Sequence, residues 1–161
     1  MTGVQTCALP IWFIEEVTGA ATPEASAKRI QLIVRPVADG LVVDADRQIL
    51  AAVVGNLLQN AFKFTQPQTS VTLRVVASAD RVRIEVEDEC GGLPDGNVDD
   101  LFHPFQQRGA DRTGLGLGLA FSEWGVEANG GRLYATNLPG KGCVFTAEFA
   151  QGIDRANALK S

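Results

Sequence analysis

Asp46–Phe64 reads DRQILAAVVGNLLQNAFKF. Its Ile49, Leu50, Val53, Leu57 and Ala61 recur at three- and four-residue spacing, the period of an amphipathic helix. Asp44 or Asp46 offers a side-chain cap at its start, and Pro67 lies just past its end. Downstream, Ser70–Ala77 (SVTLRVVA) and Arg81–Asp88 (RVRIEVED) alternate Val, Leu and Ile with Thr, Arg and Glu. That is the period of half-buried antiparallel strands, joined by a turn at Ser78-Ala79-Asp80. Farther on, the sequence predicts a short helix around Val98–Phe102 and a long one over Leu115–Asn129, stopped by Gly130-Gly131. A last strand pair, Arg132–Asn137 and Cys143–Phe149, folds around Pro139-Gly140. Upstream, Gln31–Val37 (QLIVRPV) and Leu41–Val43 read as a strand pair. Trp12–Arg29 reads as helical pieces broken at Thr18-Gly19 and at Pro23, the proline starting a short helix of its own. The order of elements predicts a two-layer α/β (α+β) sandwich, with a mixed, mostly antiparallel sheet and helices on one face.

The 161 residues suffice for one domain with a sizeable core. Fourteen basic against nineteen acidic residues leave a formal charge of −5, which argues against a nucleic-acid backbone as partner. The longest apolar runs, Ile49–Gly55 and Gly114–Phe121, are far shorter than the roughly 18 residues of a membrane span, so no membrane contact is expected of this domain. Three cysteines form no evenly spaced framework and fit a reducing compartment. Met1–Ile11 (MTGVQTCALPI) lacks the basic start of a signal peptide. It resembles the in-frame translation of a sequencing-library adapter, so residues 1–11 are set aside as an adapter-derived scar. Twelve of the 17 glycines fall between Gly91 and Gly142, which concentrates special backbone geometry there.

Three stretches carry chemistry. Asn56, Asn60 and Lys63 share one face of the long helix, at spacings four and three. Two carboxamides and an ammonium suit an oxygen-rich ligand, an amide oxygen meeting Mg²⁺ and the lysine a phosphate. Alone, such a triplet is more often a solvated polar face. Asp88 ends a strand and precedes Glu89-Cys90-Gly91-Gly92-Leu93-Pro94, so its carboxylate can accept a hydrogen bond from an exocyclic amine. The same composition also makes ordinary turns. Gly114-Leu115-Gly116-Leu117-Gly118 stands just before a helix, where glycine N–H groups can face an anion. It matches neither GxxxxGK[ST] nor GxGxxG.

Together and in this order, these stretches resemble the signature of sensor histidine kinases. Asn56–Thr65 (NLLQNAFKFT) is similar to their N box, and Asp88–Pro94 (DECGGLP) to the first glycine box. Leu101–Gln107 (LFHPFQQ) resembles the phenylalanine box, Thr113–Ala120 (TGLGLGLA) the second glycine box, and Gly140–Phe145 (GKGCVF) the closing glycine turn. The likeness spans about Gln31 to Phe149. It implies the Bergerat fold of an ATP-binding catalytic domain over residues 31–150. Residues 12–30 would then be the remnant of an upstream linker and first helix, and 151–161 a polar tail. It further implies that Asn60 coordinates Mg²⁺, Lys63 contacts phosphate, and Asn56 belongs to the same nucleotide-facing box. Asp88 would receive the adenine amine while Gly92 leaves room for the ring. Gly114, Gly116 and Gly118 would line the phosphates, and Phe102 and Phe105 would anchor a flexible lid over about Gln106 to Thr113.

Cys90 stands where the family pattern D-x-G-x-G has glycine, and Cys143 where threonine is usual. Two cysteines 53 positions apart, without further His or Cys ligands, match no zinc motif and read as buried, unreactive thiols. The single histidine, His103, precedes Pro104 and lacks the neighbouring acid of a phosphoacceptor site. The resemblance therefore implies partners: a histidine-bearing dimerisation domain, encoded upstream and missing here, and a response regulator. The site of action is expected to be cytoplasmic, with the membrane anchoring of the parent protein left open. The alternatives are a self-sufficient ATPase of the same fold or an anti-sigma-type serine kinase. Position 56 discriminates the first of these, because hydrolysing relatives place there a Glu that activates water. Asn56 is a neutral amide and cannot take a proton.

Overall fold

Seven of the eighteen residues of helix α2 (Arg47–Phe64) are buried: Leu50, Val53, Val54, Leu57, Leu58, Ala61 and Phe62. Removing each large apolar side chain from water is worth about 1.5–3 kcal/mol, so this helix organises the core. Its cap is Asp46, whose side chain accepts from Ile49 N at 3.0 Å. The computed structural model describes residues 6–8, 11–38, 40–92, 99–102 and 118–152. Among them, in chain order, are strand β1 (Thr6–Ala8), helix α1 (Ile11–Ala27), β2 (Gln31–Val34), β3 (Val42–Asp44), α2, β4 (Ser70–Ala77) and β5 (Arg81–Glu87). A 3-10 turn (Asp99–Phe102), helix α3 (Gly118–Ala128), β6 (Arg132–Leu138) and β7 (Gly142–Ala150) follow.

The main sheet has the order β2-β4-β5-β7-β6. Only β2 runs parallel to its neighbour, β4; the other pairings are antiparallel. Strand alternation sends Val71 and Leu73 of β4, Val82, Ile84 and Val86 of β5, and Phe145, Ala147 and Phe149 of β7 into the core. The opposite parity of β4 and β5 carries Arg74, Glu85 and Glu87, where Arg74 bonds both glutamates at 2.8 and 2.9 Å. The expected two-layer sandwich is therefore what the chain forms. Helix α3 closes against α2 across Gly125, where an added Cβ would lie 3.0 Å from Ile49 Cγ2. Asn129, just past α3, accepts from Asp46 N and donates to Gly125 O, both at 2.9 Å, so the end of one helix braces the start of the other. The Gly130-Gly131 stop is a glycine cap as expected, with Gly130 at φ 74° and Gly131 N donating to Val126 O.

Three expectations need correction. The pieces over Trp12–Arg29 are one helix, α1, with Pro23 inside it. Pro23 has no N–H for the carbonyl of Gly19, yet the helix runs on through it to Ala27. Thr18 and Thr22 return their hydroxyls to the carbonyls of Ile14 and Thr18 at 2.7 and 2.8 Å. Second, β2 and β3 do not pair with each other. β2 lies along β4 and ends before Pro36, which cannot donate to a ladder. β3 instead pairs with β1, Thr6 opposite Asp44 and Ala8 opposite Val42. Thus three residues of the stretch set aside as a scar form, with β3, a separate two-stranded sheet, which an extended segment can do through backbone bonds alone. Third, the predicted helix around Val98–Phe102 is the 3-10 turn Asp99–Phe102. The predicted start of the last helix at Leu115 lies outside the described residues.

Candidate functional site

Asp88 is the centre of the site. Its parity is that of Val82, Ile84 and Val86, so the alternation of β5 aims its carboxylate at the helix side of the sheet, and it is fully buried. Oδ1 accepts from the backbone N–H of Cys143 at 2.9 Å and of Cys90 at 3.3 Å. Asp88 N donates to Cys143 O at 2.9 Å, continuing the β5–β7 ladder one pair beyond Glu87 and Val144. Two backbone donors thus fix the orientation of this buried carboxylate.

The chain after Asp88 is held on three sides. Thr65, at the end of α2, accepts from Glu89 N at 2.8 Å, and Gln66 N donates to Glu89 O at 3.3 Å. The Glu89 carboxylate takes both the backbone N–H (2.6 Å) and the hydroxyl (2.9 Å) of Ser70 at the start of β4. Gly91 N donates to Lys141 O. These bonds bring the end of the amide-bearing helix to the strand end that carries Asp88. Gly92 has φ 87°, and a Cβ there would lie 3.1 Å from both Gly140 N and Leu138 O, so this turn admits glycine alone. Gly142 is required by space rather than by backbone angle. A Cβ there would overlap Asp88 O and stand 2.8 Å from its carbonyl carbon and 2.9 Å from Oδ1.

On α2 the three predicted residues are all half-buried. Asn56 Nδ2 donates to Ser122 Oγ of α3 at 3.2 Å, and Ser122 is itself buried. Asn60 Nδ2 is buried with no hydrogen-bond partner among the described residues. A carboxamide so placed calls for a polar ligand, and turned about its terminal bond it offers a hard oxygen of the kind magnesium takes. Lys63 Nζ lies 5.4 Å from the Phe64 ring centroid. Phe102 is buried, edge-on to Phe145 with centroids 6.2 Å apart, so the 3-10 turn is pinned to the core. Gly118 is the exposed first residue of α3. Phe105, Gly114, Gly116, His103 and the lid over about Gln106 to Thr113 lie outside the described residues. Sequence reasoning missed Thr65, Glu89 and Ser122 as scaffold, and it saw Gly142 only as a turn glycine.

Residues 45–153 match the family model of the histidine kinase-, DNA gyrase B- and HSP90-like ATPases, about two thirds of the chain. The chain belongs to this family. Among its members it is a catalytic domain of the sensor histidine kinase kind. It is 38% identical over 116 residues to the sensor protein KdpD of Mycobacterium tuberculosis, a match covering 71% of this chain and 13% of that protein. The chain thus spans a small part of that relative. The catalytic domain of histidine kinase ThkA, solved nucleotide-free, superimposes with a TM-score of 0.79 at 25% identity, over 91% of this chain and 95% of that one. Full-length ShkA, solved in complex with AMPPNP, gives 0.78 at 28% identity, over 95% of this chain and 33% of that one. Among the described residues, no helix of this histidine kinase domain is long and apolar enough to cross a membrane.

Proposed function

We propose that this domain binds ATP with Mg²⁺ and donates the γ-phosphoryl group to a histidine on a separate helical dimerisation domain, from which it passes to a response regulator. The observation that carries the reading is the buried Asp88 carboxylate, oriented by two backbone amides beside a turn that admits only glycine. In this reading Asp88 accepts from the adenine amine, and Gly92 keeps side-chain bulk away from the ring. Asn60 turns its amide oxygen to the metal and Lys63 gives a point charge to the phosphates. Gly114, Gly116 and Gly118 line the phosphate groups with backbone N–H. Phe102 and Phe105 anchor the segment over the nucleotide. A magnesium ion held by Asn60 would supply neutralising charge to the phosphates. Residues 31–150 form the nucleotide unit, with 12–30 as a linker-derived helix, 151–161 as a tail and 1–11 as an adapter scar. ATP is a cytoplasmic substrate, which places the work of the domain in the cytoplasm.

A self-sufficient ATPase needs a base for water. At position 56 this chain has an amide whose nitrogen is engaged with Ser122, so general-base hydrolysis lacks its agent there. His103 has no acidic neighbour in sequence, so the isolated chain is expected to bind nucleotide without labelling itself. Guanine has a carbonyl where adenine has its amine. Losing one hydrogen bond to a charged acceptor costs about 1.5–3 kcal/mol, or roughly ten- to a hundredfold in affinity. Titration of a fluorescent ATP analogue, with ATP and GTP as competitors, should show that preference in the wild type and its loss in Asp88→Ala. Equal affinity of the two proteins overturns the adenine assignment. Radiolabel from γ-labelled ATP should then reach an added dimerisation domain as acid-labile phosphohistidine, whereas acid-stable label on the isolated chain would favour a serine kinase.

A further inference from the structure

Asp88 and Cys143 stand opposite each other where the β5–β7 ladder ends, and both point to the buried side. Cys90 follows Asp88 by two residues, and its N–H bonds the same carboxylate oxygen. The fold therefore supplies what the spacing of the cysteines does not, a third donor between them. One carboxylate oxygen and the two Sγ atoms lie within 4.8 Å of one another. Both cysteines are reduced.

We propose that Asp88, Cys90 and Cys143 bind a thiophilic divalent cation of the zinc class at the floor of the candidate nucleotide site. Zinc takes sulfur at about 2.3 Å and carboxylate oxygen at about 2.0–2.2 Å, so tetrahedral donors sit roughly 3.6–3.8 Å apart. The cluster needs to contract by about 1.2 Å at most, which side-chain rotation can provide. A fourth position falls to water or to Asn137 Oδ1, which lies 4.0 Å from Cys143 Sγ. Two S–H bonds break as two metal–sulfur bonds form, and both protons leave to solvent, so binding strengthens with rising pH. Burial first, and then the Asp88 charge, push the Cys90 thiol up to about 12. Those neighbours oppose a bare thiolate but favour one that shares a cation, because a coordinating thiol is deprotonated by the metal itself. A cation on one Asp88 oxygen draws on the charge that an adenine amine would meet and crowds the same carboxylate, so the metal should compete with nucleotide. That competition alone rests on the nucleotide reading above.

The test uses the whole chain with Cys7→Ser, reduced and free of nucleotide, titrated with Cd²⁺ and then with Zn²⁺. The expected result is a thiolate-to-cadmium absorption band that saturates at one equivalent, with two protons released and the band bleached by zinc. Cys90→Gly and Cys143→Thr place at these positions the residues of the family pattern. Each should weaken cadmium binding by roughly a hundredfold or more, beyond what the loss of an outer-sphere partner costs. Unchanged melting temperatures would show that both variants fold. If either variant does not fold, alkylation of the intact protein followed by peptide mass analysis replaces it. Zinc should then block labelling of the half-buried Cys90. No band, or a band that survives in both folded variants, overturns the site. With free zinc set by a chelator buffer, affinity for the ATP analogue should fall at least tenfold in the Cys7→Ser protein and not in Cys143→Thr. Cadmium binding without that competition would leave the metal site standing and overturn the shared use of Asp88. Normal nucleotide binding without a band would overturn the metal site alone.

Discussion

Replacing Gly142 by alanine adds one methyl group at the most crowded point of the site. The new Cβ would overlap Asp88 O and lie 2.8 and 2.9 Å from the carbonyl carbon and Oδ1 of the same residue. Ordinary carbon contacts begin near about 3.4 Å, so β7 and the end of β5 must separate by about half an ångström or more. Overpacking of this kind costs about 1–3 kcal/mol. The separation also stretches the bond from Cys143 N to Oδ1, and a hydrogen bond to a charged group contributes about 1.5–3 kcal/mol. Partial relief of one at the expense of the other leaves a net loss of about 2–4 kcal/mol. For a chain of this size each kcal/mol moves the melting temperature by about 2–4 °C, so calorimetry should find a drop of roughly 4–16 °C. Because the displaced residue is the proposed adenine acceptor, affinity for the ATP analogue should fall by about ten- to a hundredfold in the folded protein. A Gly142→Ala protein that melts with the wild type would refute the packing argument. One that melts early yet binds nucleotide normally would separate Asp88 from adenine.

Gly55 is the contrasting glycine: it sits inside α2 with open space around its Cβ position and an ordinary helical φ. Gly55→Ala should raise stability by about 0.5–1 kcal/mol in urea unfolding, and a loss would mean that an unseen neighbour fills that space. The outer-face ion cluster predicts an acid response. Burial raises the Glu87 carboxyl, but hydrogen bonds from Arg74 and Lys141 outweigh it and hold the group below its ordinary 4.5. A depressed value contributes stability above pH 4.5 that is lost as pH falls through the lower folded value. Glu87→Gln should cost a few tenths to about 1 kcal/mol at neutral pH and flatten the acid limb of a stability curve, and parallel curves for the two proteins would refute the assignment.

Much of the fold was legible where the signal is local. The stripe of α2, the alternation of β4 and β5, and the glycine stop of α3 each state their own structure over a handful of residues. What was not legible is the choice of partner. Gln31–Val34 has the composition of a strand whether it lies beside β3 or, as it does, parallel to β4, and only the assembled sheet decides between them. The same division holds in the site. Asn60, Lys63 and Asp88 stand out because amides, an ammonium and a strand-end carboxylate have chemistry of their own. Thr65, Ser122 and Gly142 are ordinary residues whose importance arises from contacts 24, 66 and about 54 positions away in the chain. No window of sequence contains both ends of such a contact. Pro23 failed for a related reason: propensity breaks the helix, and packing of α1 against α2 keeps it whole.

The position of β7 in the sheet sets a timetable for synthesis. Asp88 leaves the ribosome 55 residues before Cys143, the residue whose amide holds its carboxylate, and β7 must slot between β5 and β6 before that bond exists. Until then β5 presents an open edge beside β4, and a carboxylate meant for the interior stands in water. Pairings between distant segments close slowly. The floor of the candidate site is thus among the last parts of the domain to be completed, after its helix α2 and first hairpin are already available. A nucleotide that binds only the closed floor stabilises the finished domain by mass action and gives nothing to the partial ones. Cellular ATP would then act on nascent chains as a late clasp, holding those that have delivered β7 to its slot.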